Sequence, residues 1–386
     1  MGSGLGERLQ SVRKRRGLTQ PELAEASGVS LSLIRKIEQG ERENTRIDTL
    51  RRLAVALSCS LTTLLGPAPG PPESSNGELW LPTRKALTEA PNAEATEPVE
   101  EQSVGEALTA AVKLYHDNHY EQLARILPRL IVDGQGASPL MRSRILQLVG
   151  SVMVQTRQRE PARAALEQSL AEAEATGNTL DAASAIITLC WLWLVERQFE
   201  KVRNIAVQWA DRVEPRLSVA TRQEISAWGW LLLRGSAAAI RDNRPDEADD
   251  MMRLARAGAV AIGRESGGYH QYWTTFGPAT VAMKRVENAV VDDRPDVALR
   301  LARDVPAGLR PTSDNRNRHL LDVISAHVDL RRYDAAFEIL TKLSHEAGPW
   351  LVEQRMAKDL LGRIVSRRRT LTPEMRQLSD MLELEY

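Results

Sequence analysis

The sequence predicts an all-α protein in two parts, a small helical unit at the N-terminus and a long array of paired helices behind it. Three observations carry that prediction. Ala, Leu and Arg recur throughout, while Phe numbers only 3, a composition that favours helices over sheets. Apolar residues return at spacings of three and four, and no stretch alternates for six residues. Short polar breaks rich in Gly, Asn, Asp and Pro divide the chain at helix-length intervals. At 386 residues, 42% hydrophobic and 26% charged, the chain suits two or three domains and is too apolar for wholesale disorder.

Gly6 to Arg16 forms an amphipathic helix with Leu5, Leu9 and Val12 on one face, and Gly17 ends it with the positive φ a C-terminal cap needs. Thr19 caps a second helix, with Glu22 three residues on as its capping-box partner. Ala26-Ser27-Gly28-Val29 is a tight turn bent at the glycine. Ser30 caps a third helix, Leu31 to Glu38, which Gln39-Gly40 closes. Ile47 to Leu57 makes a fourth, and Ser60 caps a short fifth, Leu61 to Leu65. Two short helices joined by a small-residue turn make the helix-turn-helix arrangement, in which the second helix offers its N-terminal residues to the DNA major groove. Ile34 and Ile37 then face inward, Ser32, Arg35 and Lys36 face outward, and Leu31 or Leu33 is free for a thymine methyl. Lys and Arg balance Asp and Glu at 51 each over the chain, but residues 1–66 hold 11 against 7, a net of +4.

Thr19-Gln20-Pro21-Glu22-Leu23-Ala24, Gly28-Val29-Ser30 and Ile34-Arg35-Lys36-Ile37-Glu38-Gln39-Gly40 resemble the Cro/C1-type, or XRE-family, helix-turn-helix domain of phage repressors and bacterial regulators, over residues 5–65. The resemblance implies a five-helix lambda-repressor-like fold that binds double-stranded DNA. It puts Gln20 where the family binds phosphate and sometimes adds a base contact. Leu31, Ser32 and Lys36 fall on base-reading positions, and Ser30 and Arg42 on backbone-contacting ones. Arg13 and Glu38 take the places of a partly buried salt bridge, and a carboxylate so near phosphates makes sense only when paired. Leu31 departs from the glutamine of some phage members, which removes a bidentate adenine contact. Two such domains about 34 Å apart would read a near-palindromic operator as a homodimer. A relative of this fold that binds protein or toxin partners is the alternative.

Residues 67–102 change character, with seven prolines and seven glutamates against Arg84 and Lys85, and read as an exposed, partly extended linker. Its apolar centre, Leu79-Trp80-Leu81, either docks on the next domain near Leu108 or Leu114 or is a bead in a flexible tether. Residues 103–386 are a succession of helices near 104–115, 118–131, 138–156, 160–176, 179–195, 199–212, 218–240, 244–265, 269–291, 294–303, 315–330, 333–346, 349–365 and 373–384. Several second helices open on a similar phrase: Arg159-Glu160-Pro161-Ala162, Arg197-Gln198-Phe199-Glu200, Arg294-Pro295-Asp296-Val297 and Arg332-Tyr333-Asp334-Ala335. That is the grammar of a TPR-like α-solenoid of five to seven repeats, in which Ala lets antiparallel helices approach closely. Arg203 stands where a small residue is expected, and another helical bundle is the alternative.

A DNA reader on such a body resembles the XRE/TPR regulators of actinomycetes and, more distantly, RRNPP-type peptide-responsive regulators. The resemblance implies a body that dimerises and holds a peptide or small-molecule effector in its concave groove. The candidates are Arg285 and Asn288, three apart and so on one face beside Lys284; Asn204, with Arg203, opening an inner helix; and Trp193 and Trp230. Each of these tryptophans sits two residues from another that faces elsewhere, with core packing as the plain alternative. Asn315 and Asn317 read as caps or solvated ends, and Phe276-Gly277-Pro278 predicts a kink within a helix.

No enzyme, metal or cofactor constellation emerges. His116 and His119 lack the Cys or carboxylate company that zinc needs, and no glycine loop is built to cradle phosphate. Cys59 and Cys190 fit a reducing compartment. The N-terminus lacks an apolar signal core, and no apolar run approaches the roughly 18 residues of a membrane span. The expectation is a cytoplasmic, nucleoid-associated protein that does not engage membrane. The second functional reading is a scaffold whose repeats bind a protein partner while the first domain only targets DNA.

Overall fold

In the computed structural model, which describes residues 5–42, 45, 47–59, 63–64, 77–89, 100–263, 275–305 and 313–384, the elements are helices. The N-terminal bundle holds α1 (Leu5–Arg15), α2 (Gln20–Ser27), α3 (Leu31–Glu38) and α4 (Ile47–Ala56). Local chemistry sets these limits. Gly17 and Gly28 take φ of 71° and 64° after α1 and α2, and Thr19 and Glu22 exchange both capping-box bonds. Leu9, Leu23, Ile34, Ile37, Leu53 and Leu57 close the core with no exposed surface. The α1–α3 crossing is tight because Gly6 has no side chain; a Cβ there would lie 2.3 Å from the Ile37 carbonyl oxygen. Ser60 and most of the fifth helix lie outside the described residues, although Leu64 is buried and its carbonyl accepts from Arg8 Nε at 2.9 Å.

The linker is more ordered than the exposed, partly extended reading. Leu81–Glu89 forms α5, with Pro82 in its first turn, where a missing amide donor costs nothing. Trp80 is fully buried, edge-on to Tyr120 at 6.4 Å, but Leu81 stays exposed. The docking surface is the helix that begins at Tyr120 rather than the neighbourhood of Leu108 or Leu114.

The body is an array of helices packed pairwise: α6 (Glu101–His116) with α7 (Tyr120–Gly134), α8 (Pro139–Gln155) with α9 (Arg159–Ala175), and α10 (Thr179–Val195) with α11 (Phe199–Arg212). Next come α12 (Arg222–Arg241) with α13 (Pro245–Ile262), α14 (Pro278–Val291) with α15 (Pro295–Arg303), and α16 (Ser313–Asp329) with α17 (Tyr333–Val352). Two further helices, α18 (Arg355–Val365) and α19 (Pro373–Met381), close the array. From α6 to α16 the first helix of each pair packs on the first helix of the next, so these helices make the continuous inner row.

One turn recurs in all six pairs. A left-handed residue stands between the two helices, at Asn118, Arg157, Arg197, Asn243, Asp293 and Arg331, each with φ between 56° and 62°. The next amide then reaches five residues back, as from Gln198 to the Trp193 carbonyl at 2.8 Å and from Arg332 to His327 at 2.8 Å. This is the Schellman closure, and the six positions carry either a short polar side chain (Asn118, Asn243, Asp293) or a long flexible one (Arg157, Arg197, Arg331), at a cost of about 1–2 kcal/mol each for the left-handed backbone.

Arg203 proves compatible with close packing because it is an inter-repeat cation. It is buried, and bonds Asp242 at 3.1 Å and Glu247 at 2.9 Å in the following pair. One pair earlier, Arg163 does the same to Glu196 at 2.6 Å. Both arginines stand five residues past the end of their turn, and both acceptors immediately precede a left-handed residue. In the next pair that cation position holds Asp249, and the corresponding acceptor, Asp292, pairs instead with Arg51 of α4. Arg51 also donates to the Val291 carbonyl at 2.7 Å. The N-terminal bundle thus supplies a cation where the array has Asp249, and Arg294 beside the turn gives Asp292 a second one at 2.8 Å.

The kink at Phe276-Gly277-Pro278 is a helix start instead. Pro278 opens α14, and Phe276 is fully buried against Gly229 of α12. Tyr269, Tyr272 and Trp273 lie outside the described residues. No helix among the described residues is long and apolar enough to cross a membrane.

Candidate nucleic-acid interface

The geometry of α3 begins at its cap. Ser30 adopts extended φ and ψ, and its Oγ accepts from the Leu33 amide at 3.4 Å, which aims the first turn of the helix outward. Ile34 and Ile37 are sealed in the core, so Ser32, Arg35 and Lys36 are exposed. Leu31 is half-buried at the rim, and Arg42 is exposed beyond the helix end.

Behind this face lies a closed polar lock. Arg13 Nε and Nη2 bond the two Glu38 carboxylate oxygens at 2.7 and 2.8 Å, and Arg13 Nη1 donates to the Leu18 carbonyl at 2.8 Å. The lock ties the end of α1 to the end of α3, with the Glu38 side chain 1% exposed. Burial pushes the Glu38 carboxyl up, but hydrogen bonds from Arg13 and Gln20 and the nearby Arg13 and Lys14 charges hold it below the usual range. The Glu38 hydrogen bond in turn raises Arg13.

Gln20 has a partner that the motif position alone does not announce. Its Nε2 donates to Glu38 Oε2 at 2.8 Å, so one amide hydrogen is committed inside the domain. Of the cations closing α1, Arg16 donates to the Ser58 carbonyl at 2.7 Å and braces the bundle, while Lys14 and Arg15 remain exposed.

The expected effector residues do not form one surface. Trp230 is buried and donates Nε1–H to the Thr275 carbonyl at 2.9 Å, and Trp193 is buried under Lys201 Nζ at 3.8 Å. Both are core residues. Asn204 is exposed on α11, a second helix, rather than on the inner row. Arg285 and Asn288 diverge although three apart, because α14 is packed on more than one side. Arg285 lines a cleft of about 520 Å³ with Asp246, Asp249, Arg253 and Arg256 of α13. Asn288 instead donates to Ser236 Oγ at 2.8 Å, and Ser236 donates on to the Ala248 carbonyl. Asn317 is buried with its Nδ2 unbonded, against the expectation of a solvated end.

Comparison with known proteins assigns the N-terminal bundle. A family model described as a helix-turn-helix domain matches residues 5–64. The immunity repressor protein of Bacillus phage phi105 is 37% identical over 62 residues, 16% of this chain and 42% of its own. The HTH-type transcriptional regulator SinR of Bacillus subtilis is 36% identical over 61 residues, 16% of this chain and 55% of its own. The HTH-type transcriptional regulator SutR of Escherichia coli is 31% identical over 83 residues, 22% of this chain and 44% of its own. The chain therefore spans about half the length of these curated relatives. No solved structure matches it significantly. The relatives are a repressor and regulators rather than enzymes, and the N-terminal bundle is a helix-turn-helix domain related to those of Cro/CI-type transcriptional regulators.

Proposed function

We propose that the chain is a sequence-specific DNA-binding transcriptional regulator that acts as a homodimer on a near-palindromic operator, its helical body dimerising and sensing a peptide or small-molecule effector. The observation that carries this reading is α3: polar Ser32, Arg35 and Lys36 stand outward on a helix whose opposite face is locked into the core. Lys36 and Ser32 read base edges, with Leu31 against a thymine methyl. Ser30, Arg35 and Arg42 bind the phosphate backbone, together with the remaining amide hydrogen of Gln20. Homology to named regulators supports the same assignment.

Dimerisation through the body draws support from apolar side chains exposed on its second helices and the loop before α12, among them Val207, Val219, Leu254 and Val260. Control by the body draws support from the Arg51–Asp292 bond, which ties α4 to the α14–α15 turn. An effector acts only by binding one arrangement better than another, and a tenfold shift takes about 1.4 kcal/mol.

Shift titrations of the full chain on its own site and on a scrambled duplex test the reading. Lys36→Ala should shrink the ratio between the two affinities by about 1–3 kcal/mol, whereas Arg42→Ala should weaken both duplexes alike and flatten the salt slope. A Lys36→Ala protein with an intact ratio would remove α3 from the groove.

A further inference from the structure

The inner row carries a connected set of charges. Arg234 of α12 has its guanidinium carbon 5.0 Å from the ring centre of Trp230 and 5.9 Å from that of Trp191 on α10. Its Nε is sealed from solvent without a hydrogen-bond partner, and among the described residues no carboxylate forms an ion pair with it. Lys284 of α14 lies 5.7 Å from the same Trp230 ring. Nearby, Lys284 and Arg241 share one carboxylate, Glu287, at 2.8 and 2.5 Å. Arg318 of α16 faces Asp322 at 3.5 Å. Four cations therefore meet two carboxylates in a low-dielectric interior.

The surrounding groups do not restore the balance. Burial drives the Asp322 carboxyl up to about 6, and that of Asp314, which is hydrogen-bonded to Tyr115, up to about 7. Burial also lowers His319 to about 4, so it adds no charge at neutral pH. Cys190 beside Arg234 is pushed up to about 12 and stays a neutral thiol. Arg234 is part-buried with its Nε sealed and without a carboxylate partner, and Trp191 beside it is likewise only half-buried. This guanidinium therefore lacks the counter-ion that would offset its desolvation.

We propose that this inner seam binds an organic carboxylate carrying a flat apolar group, its carboxylate on Arg234 and its apolar part against Trp191. The fork of a guanidinium matches a carboxylate in two parallel bonds, and indole faces accept a planar neighbour. The site deepens the effector-sensing reading and rests on it, while moving the ligand away from Arg285 and Asn288. A free small acid and the C-terminus of a peptide share this chemistry.

Calorimetric titration of the full chain separates them, using benzoate for a free acid, N-acetylphenylalanine for a peptide terminus and N-acetylphenylalaninamide as the neutral control. Saturable binding of either acid, at least tenfold stronger than the amide, is expected. Arg234→Gln should weaken it tenfold or more, and Arg234→Lys should recover part of the loss. Trp191→Leu, at a half-buried position, provides a second variant if Arg234→Gln does not fold, and should weaken the acid as well. Acid and amide binding alike, neither acid binding, or an unaffected Arg234→Gln would overturn the proposal. DNA-shift titrations with cell extract distinguish the two levels: an extract-dependent response without acid binding ends this site but keeps sensing, whereas acid binding without any change in DNA affinity ends sensing but keeps the site.

Discussion

Residues 5–64 hold a closed buried pair, Arg13 with Glu38, completed by Gln20 and the Leu18 carbonyl, and turn a second buried cation, Arg51, toward Asp292 of the body. Residues 101–384 string theirs along the array, from Arg163 to Glu196, from Arg203 to Asp242, and through the inner seam of Arg234, Arg241, Lys284 and Glu287. The first arrangement locks the end of α1 to the end of α3 within the bundle. The second spreads its electrostatics over several helices.

The largest expected effect breaks the lock. Arg13→Ala strands a Glu38 side chain that is 1% exposed, at a cost of about 3–5 kcal/mol. Hydrogen exchange of the full chain should show protection lost across α1 and α3 and kept in the body. A change under about 0.5 kcal/mol would place the pair in solvent and return Arg13 to the phosphate-binding cations.

How far the sequence reveals each region follows from the same contrast. The lock, the caps at Thr19 and Ser30 and the glycine turns are set by residues near in sequence or by fixed motif positions, so they are readable. The body is ruled by which helices face each other. Arg203 looked misplaced because a repeat pattern records side-chain size and not the acceptor waiting in the next pair. Arg285 and Asn288 share a face on a lone helix, but α14 has α12, α13 and α16 around it and divides them. Arg234 shares a helix face with Trp230 four residues earlier, but only folding puts Trp191 of α10 beside it. The short helix at Leu81–Glu89 was hidden by linker composition, because Pro82 weighs against helix everywhere except in a first turn.

The pH response should run in opposite directions in the two regions. Glu38 is held below its ordinary 4.5, so its contribution is present above that pH and fades as pH falls through the lowered folded value. Asp314 is raised from 3.8 to about 7, so its contribution is full below 3.8 and is lost as pH rises toward 7. Exchange protection between pH 4 and 7 should therefore fall with pH in α16 while α1 and α3 hold steady. Asp314→Asn should flatten the α16 response; an unchanged slope would assign it to another group.

The smallest stability effect is expected at the joint between the regions. Arg51→Ala removes the bond to Asp292, but Arg294 Nε at 2.8 Å still neutralises that carboxylate, so the loss should stay near 1 kcal/mol. Its consequence is positional: small-angle scattering should show a wider spread of domain separations. An unchanged profile would mean that the α5 docking through Trp80 holds the reader by itself.

The central claim, that α3 reads a sequence for a two-fold assembly, is tested most directly by selecting binding sites for the full chain from randomised duplex DNA. The expected result is an enriched near-palindrome whose half-sites lie about 34 Å apart, with the preference at one position in each half lost in Lys36→Ala. Selection that enriches no motif, or the same motif from wild type and Lys36→Ala alike, would contradict it.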